Sequence, residues 1–150
     1  MPTQTVVDAF TEAELAAWRG FLRAHSALVK ELDADLEVQH QLPLTSYDVL
    51  TTLADQPEGR MRMRDLADAV VLSRSGLTRL VDRLQREGLI AREQCASDAR
   101  GAYAVLTETG RVRLREAQPL HRESVRRRFL SRFSAEELGV LATFWERLQT

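Results

Sequence analysis

A chain of 150 residues that is 44% hydrophobic and 29% charged is long enough to bury one core and fits a single compact domain. No apolar run approaches the roughly 18 residues that a membrane span needs, the first ten residues lack the basic-then-apolar pattern of a secretory signal, and one cysteine, Cys95, excludes an internal disulfide and points to a reducing, cytoplasmic setting. The formal net charge of −1 is unevenly spread, with 3 basic and 10 acidic residues in 1–59 against 12 basic and 8 acidic in 60–116, an asymmetry that suits an anionic partner for the second stretch.

In chain order, Thr11 with Glu14 makes a capping-box pattern that opens a helix. Leu15, Trp18, Leu22, His25, Val29, Leu32 and Leu36 follow at steps of three and four, and Phe21 and Leu28 widen the stripe. A stripe this wide calls for a partner helix. Pro43 ends the element, and Thr45 is expected to cap a second helix reaching Asp55. Pro57 and Gly59 mark a turn, and Arg60 to Met63 alternates as a brief strand. Arg64 to Val70 reads as a short helix with Leu66, Ala67 and Val70 inward.

Ser73 is the expected cap of the next helix, which runs to Glu87 and stops at Gly88. Leu77, Leu80, Val81 and Leu84 share one face of it. Leu89 to Gln94 and Ala102 to Leu106 alternate as two strands around the polar turn Ser97, Asp98, Arg100, Gly101, forming a hairpin. Thr107 then caps a long helix in which Pro119 is expected to kink or break the path. Ser134 with Glu137 opens a last helix carrying Leu138, Leu141, Trp145 and Leu148.

The predicted fold is therefore mainly α with a small β-hairpin wing. Two short helices, a tight turn and a hairpin describe a winged helix-turn-helix. The flanking long helices, 1–40 and 117–150, are read as a dimerisation region, and 41–116 as the DNA-binding lobe. A helix that enters the major groove of DNA needs an apolar side to hold it on its domain and a polar side to meet base edges and phosphates. The helix after Ser73 has both. Ser73, Arg74, Ser75, Thr78, Arg79 and Arg83 are the candidate DNA-contacting residues on it, with the open N–H groups behind Ser73 suited to a phosphate. At the hairpin tip, Arg100 is placed to enter a minor groove and Asp98 to orient it. Of the 21 basic residues only Lys30 is not arginine, and arginine favours two-pronged contacts to phosphate and base edges.

The stretch LSRSGLTRLVDRLQREGLI, from Leu72 to Ile90, resembles the recognition helix and following strand of the MarR-type (multiple antibiotic resistance) regulators. Asp98-Ala99-Arg100 resembles that family's D-x-R wing signature, and Leu106-Thr107-Glu108-Thr109-Gly110 its L-T-x-x-G. The resemblance spans nearly the whole chain. It implies an obligate homodimer held by the terminal helices, bound to a pseudo-palindromic operator, with recognition helices in successive major grooves and wing arginines in flanking minor grooves. It also implies relief of repression by a small aromatic or anionic effector, or by thiol oxidation in some members.

His25 is either a core histidine or, with Trp18, part of the lining of an effector cleft; packing is the default for both. Cys95 reads as a passive wing cysteine. Arg111, Arg113 and Arg115 are either phosphate contacts or a solvated helix face. Arg126, Arg127 and Arg128 are expected to be solvated or paired with acidic residues across the dimer. His40 and His121 lack metal-ligand spacing, and no nucleotide loop, nucleophile elbow or zinc-protease motif is present. No enzyme activity, metal or cofactor is expected. A winged-helix protein-interaction module is the alternative that the acidic first 59 residues keep open.

Overall fold

In chain order the computed structural model contains α1 (Glu12–His40), α2 (Leu44–Ala54), a 3-10 turn (Pro57–Gly59), β1 (Arg60–Arg62), α3 (Met63–Ala69), α4 (Arg74–Arg86), β2 (Ile90–Gln94), β3 (Ala102–Leu106), α5 (Glu108–Arg128), a second 3-10 turn (Leu130–Arg132) and α6 (Ala135–Glu146). It describes residues 9–70, 74–94 and 101–149, without the side chain of Arg74.

Both capping boxes form. The Thr11 and Ser134 hydroxyls accept from the N–H of Glu14 and Glu137, whose carboxylates accept in return from the cap N–H groups. The start of α2 differs from expectation. Thr45 lies inside the helix, Pro43 holds the cap position with no side-chain bond, and the Leu44 N–H donates to Asp33 Oδ1 of α1 at 2.8 Å. A carboxylate 11 residues upstream thus does the work that a local cap would do. The end of α1 is also closed from afar, by Arg113 of α5 donating to the His40 carbonyl.

The three strands form one antiparallel sheet in the order β1-β3-β2. Arg60 lies opposite Val105, and Arg92 opposite Ala104. The brief first strand therefore joins the hairpin, with β3 in the centre. The core gathers Leu36 from the end of α1, Leu50 and Leu53 from α2, Leu66 from α3, Val81 and Leu84 from α4, Ile90 and Ala104 from the sheet and Leu114 from α5.

The junction between α4 and α5 is tightly built. Gly88 has φ +78, its N–H donates to the Gln85 carbonyl, and the Leu89 N–H donates to the Leu84 carbonyl, which is a Schellman closure with Leu84 and Leu89 buried beside it. Thr107 Oγ1 donates to the Gly88 carbonyl at 2.6 Å and accepts from the Gly110 N–H at 3.0 Å. A side chain at Gly110 would run into the Leu89 carbonyl and the Leu106 side chain. The glycine of the L-T-x-x-G segment is thus a close-approach residue.

Pro119 does not break α5, which is helical through it. Pro119 is exposed, and the carbonyl its missing N–H would have met can turn to water. Beyond it, Arg128 Nε and Nη2 donate to the two Asp35 oxygens at 3.0 Å, with Ser124 Oγ adding a bond at 2.8 Å. The Arg128 hydrogen bond, helped by Ser124 and Arg127, holds the Asp35 carboxyl below its usual range against the opposing effect of burial. Arg127 and Arg128 therefore find acidic partners within their own chain, in α1.

The first half of α1 and all of α6 bury little. Trp18, Phe21 and Leu22 are exposed, as are Trp145 and Leu148. Phe21 bridges the two helices, with ring centroids 6.3 Å from Trp18 and 5.7 Å from Trp145.

Candidate nucleic-acid interface

Helix α4 presents the two-sided character that the sequence predicts. Leu77, Leu80, Val81 and Leu84 are buried. Ser75, Thr78, Arg79 and Arg86 are exposed. At about 100° per residue, Ser75, Arg79 and Arg86 fall within roughly 40° of one another, opposite the leucines. Arg86 was no candidate in the sequence, yet it shares this arc. Arg74 is the first residue of the helix. Ser73, Asp98, Arg100 and Cys95 lie outside the described residues.

Arg83 stands apart from the other candidates. It is only partly exposed, and its Nη2 donates to Ser46 Oγ of α2 at 2.9 Å. Ser46 itself is 1% exposed.

A second arginine, absent from the sequence candidates, holds the opposite flank. Arg92 of β2 pairs through Nη1 with Asp82 and donates to Gln85 Oε1 at 3.1 Å, while Nη2 reaches the Thr78 carbonyl at 3.5 Å. The wing strand is thereby tied to the helix it flanks. Alternation places Arg92 on the same side of the sheet as the buried Ala104, its opposite residue. That pattern marks it as inward-facing, but its partner on α4 is a tertiary fact.

On the other side of the sheet, Arg60 lies over the Tyr103 ring at 4.3 Å and pairs with Glu93 at 3.2 Å. The arginines after the wing are put to structural use. Arg111 packs against Gly59, Arg113 closes α1, and Arg115 pairs with Glu108.

A cleft of about 600 Å³ opens where α1 meets the start of α2, walled by His25, Val29, Lys30, Asp33, Leu44, Thr45 and Asp48 among others. His25 is part of its wall and is exposed, not the core histidine that the sequence favours. Trp18 is not in its wall; it lies about two turns earlier in α1, in the aromatic row with Phe21. Thr45 also walls a smaller hollow of about 240 Å³ beside Gly76, Arg79, Leu80 and Arg83 of α4. Among the described residues no helix is long and apolar enough to cross a membrane.

Residues 40–101 match the profile of the MarR family. The transcriptional regulator HosA of Escherichia coli is 37% identical over 102 residues, which cover 66% of this chain and 73% of HosA. AbsC, a MarR family transcriptional regulator from Streptomyces coelicolor, is similar in structure with a TM-score of 0.89 and 36% identity over 95% of both chains. Sco3205, a MarR family regulator from the same organism solved in complex with DNA, gives a TM-score of 0.90 and 33% identity over 95% of this chain and 89% of its own. An amphipathic helix with an arginine-bearing outer face, a strand tied to its flank and likeness of this extent lead to one assignment: the chain belongs to the MarR family of winged helix DNA-binding transcriptional regulators.

Proposed function

We propose that the protein is a ligand-responsive repressor that binds a pseudo-palindromic operator in the cytoplasm as a homodimer, and that it has no enzyme activity. In this reading residues 41–116 form the DNA-binding lobe, and residues 1–40 and 117–150 form the dimerisation region. The observation that carries DNA contact by this lobe is the outer arc of α4, where Ser75, Arg79 and Arg86 are exposed while the leucines behind them are buried. Thr78 lies on the wing-side flank of that arc. Ser73, Arg74, Asp98 and Arg100 keep their proposed roles at the helix start and wing tip. Sco3205 was solved with DNA, which supports the same use of this lobe here.

Two further features support the finer parts. The exposed apolar row of α1 and α6 suits the same row on a second copy, since a twofold interface must match itself. The cleft beside α2 suits a small effector, to which its wall offers the Lys30 ammonium alongside the carboxyl groups of Asp33 and Asp48. Its wall reaches α4 through Thr45, which borders both hollows, so an occupant there can bias the recognition helix.

Selection of bound sequences from a random duplex pool tests the reading. The expected product is an inverted repeat with half-sites about one helical turn, roughly 34 Å, apart, bound with a steep dependence on salt. A pool that stays random through successive rounds rejects it.

A further inference from the structure

We propose that Arg83 and Ser46 form a positioning pair that sets the roll of the recognition helix about its own axis, and that Arg83 is not itself a phosphate or base contact. The inference rests on the reading of α4 as the DNA-recognition helix.

The argument begins with where each side chain leaves the helix. With about 100° between successive residues, the buried leucines of α4 mark one direction and Ser75, Arg79 and Arg86 mark the opposite one. Arg83 leaves on one flank between them, beside Gly76. Asp82, Gln85 and Thr78 lie toward the other flank. Each flank is held by an arginine bond to a different element. On the wing side, Arg92 of β2 meets Asp82, Gln85 and the Thr78 carbonyl. On the far side, Arg83 meets Ser46 of α2 at 2.9 Å.

An apolar face alone fixes roll loosely, because leucines slide over one another at small cost. Hydrogen bonds are directional and fail within a few tenths of an ångström. Two such bonds on opposite flanks restrain rotation in both senses. A turn of 20° would carry the tip of a long side chain such as Arg79 by roughly 2–3 Å, since side chains extend the helix to a radius of about 5–6 Å and arginine reaches beyond it. That displacement is enough to lose a two-pronged base contact.

Ser46 has little other use for its position. It is 1% exposed, at the third residue of α2, in a row otherwise of apolar core residues. A buried hydroxyl needs a partner, and the guanidinium of Arg83 supplies one. Arg83 in turn is drawn back from the outer surface on which Arg79 and Arg86 stand.

The test uses the full-length protein and an operator selected with it, and measures affinity for that operator and for unrelated duplex across a range of salt. The variants are Ser46→Ala, Arg83→Gln and the double substitution, each checked for unchanged circular dichroism and sedimentation. Loss of a hydrogen bond to a charged group predicts an operator affinity lower by up to about 10- to 150-fold in each single variant. The double variant should be no weaker than Arg83→Gln alone, because both substitutions remove the same bond. Affinity for unrelated duplex and the salt slope should stay at the wild-type values, which a mere loss of folded protein would not leave so selectively.

If Arg83→Gln lowers the salt slope by about one per protomer and weakens both duplexes alike, while Ser46→Ala changes nothing, Arg83 is a phosphate contact and the proposal is overturned. Ser46→Ala serves where Arg83→Gln perturbs the fold, since it removes a single oxygen; wild-type operator affinity in that variant alone also overturns the pairing. Failure of the wild-type protein to bind any duplex rejects the DNA-binding reading itself, an outcome distinct from either.

Discussion

In the lobe, Leu50, Leu53, Val81 and Leu84 are fully buried by residues of the same chain. In the arms, Trp18 is 53% exposed, Leu22 46% and Leu148 72%. The arms do not lack local helix signals, since the capping boxes of α1 and α6 are complete, whereas α2 and α3 of the lobe start without a side-chain bond from the cap residue. What separates them is the second apolar surface. The lobe has a sheet, α2 and α5 to close against, whereas the arms have an aromatic row and no layer over it. Local sequence specifies both sets of helices, but only one set finishes its core within 150 residues. On the proposed reading this difference divides the work: the lobe carries the polar surface of α4, and the arms, with their apolar row exposed, would supply half of a twofold interface.

The largest effect is expected from charging the unfinished half. Phe21→Asp with Trp145→Asp places carboxylates in the aromatic row. We expect monomers by sedimentation, with a lobe that keeps its near-ultraviolet and helical signals. Operator affinity should fall by about 10²–10⁴-fold, since the second half-site no longer binds at high effective concentration. A variant that remains dimeric would move the interface elsewhere.

The finished half should respond in the opposite manner. Leu84→Ala removes a fully buried side chain and should cost about 2–5 kcal/mol in urea unfolding, with the variant still dimeric at concentrations where it folds. A cost under about 1 kcal/mol would mean that the lobe repacks freely and is less complete than its burial implies. Gly110→Ala is expected to cost about 1–3 kcal/mol, the range for forcing atoms into a packed site. The obstacle is the Leu89 carbonyl, a backbone atom that cannot swing away. Tolerance of alanine there would show that the start of α5 can slide relative to β2.

How much of this was legible in the sequence follows the same division. Patterns that span three to seven residues were readable: the Thr11 and Ser134 capping boxes, the leucine face of α4, the Gly88 stop and the paired strands. Contacts that join residues far apart were not. Asp33 capping α2, Arg113 closing α1, Arg92 tying the wing and Arg83 meeting Ser46 each depend on tertiary approach, and an arginine looks the same in sequence whether it ends on a phosphate, a carbonyl or a carboxylate. Arg74, Arg79 and Arg83 were therefore read alike and Arg86 was passed over, although Arg83 meets Ser46 while Arg86 shares the exposed arc of Arg79. The joining of β1 to the hairpin was hidden for another reason: three residues carry too little alternation to name a neighbour. Pro119 shows the converse, a strong local signal overridden because the helix around it is otherwise anchored by Leu114 and Ala117 on one side and Ser124 on the other.

The smallest effect sits where lobe and arm meet. His121 of α5 packs against Tyr47 of α2 with ring centroids 4.3 Å apart and the planes tilted by 41°, and its Nδ1 is buried with no hydrogen-bond partner among the described residues. Burial holds its pKa below the ordinary value of 6.5. The unfolded chain therefore takes up a proton before the folded one does. Stability from this group is fully present above about pH 6.5, and it declines as pH falls from there toward the lower folded value. The midpoint of urea unfolding should be flat near pH 7.5 to 8 and drop modestly by pH 5.5, a window above the ordinary carboxylate range, though burial raises the carboxyl of Asp48 on α2. His121→Phe keeps a ring against Tyr47 and removes the titration, so the variant should hold a constant midpoint across that window. A drop of equal size in the variant would assign the pH response to another group and leave the contact between α2 and α5 as ordinary packing. Should the response vanish with the substitution, acidification would act on α2, the helix that also lends Asp48 to the cleft and Ser46 to Arg83.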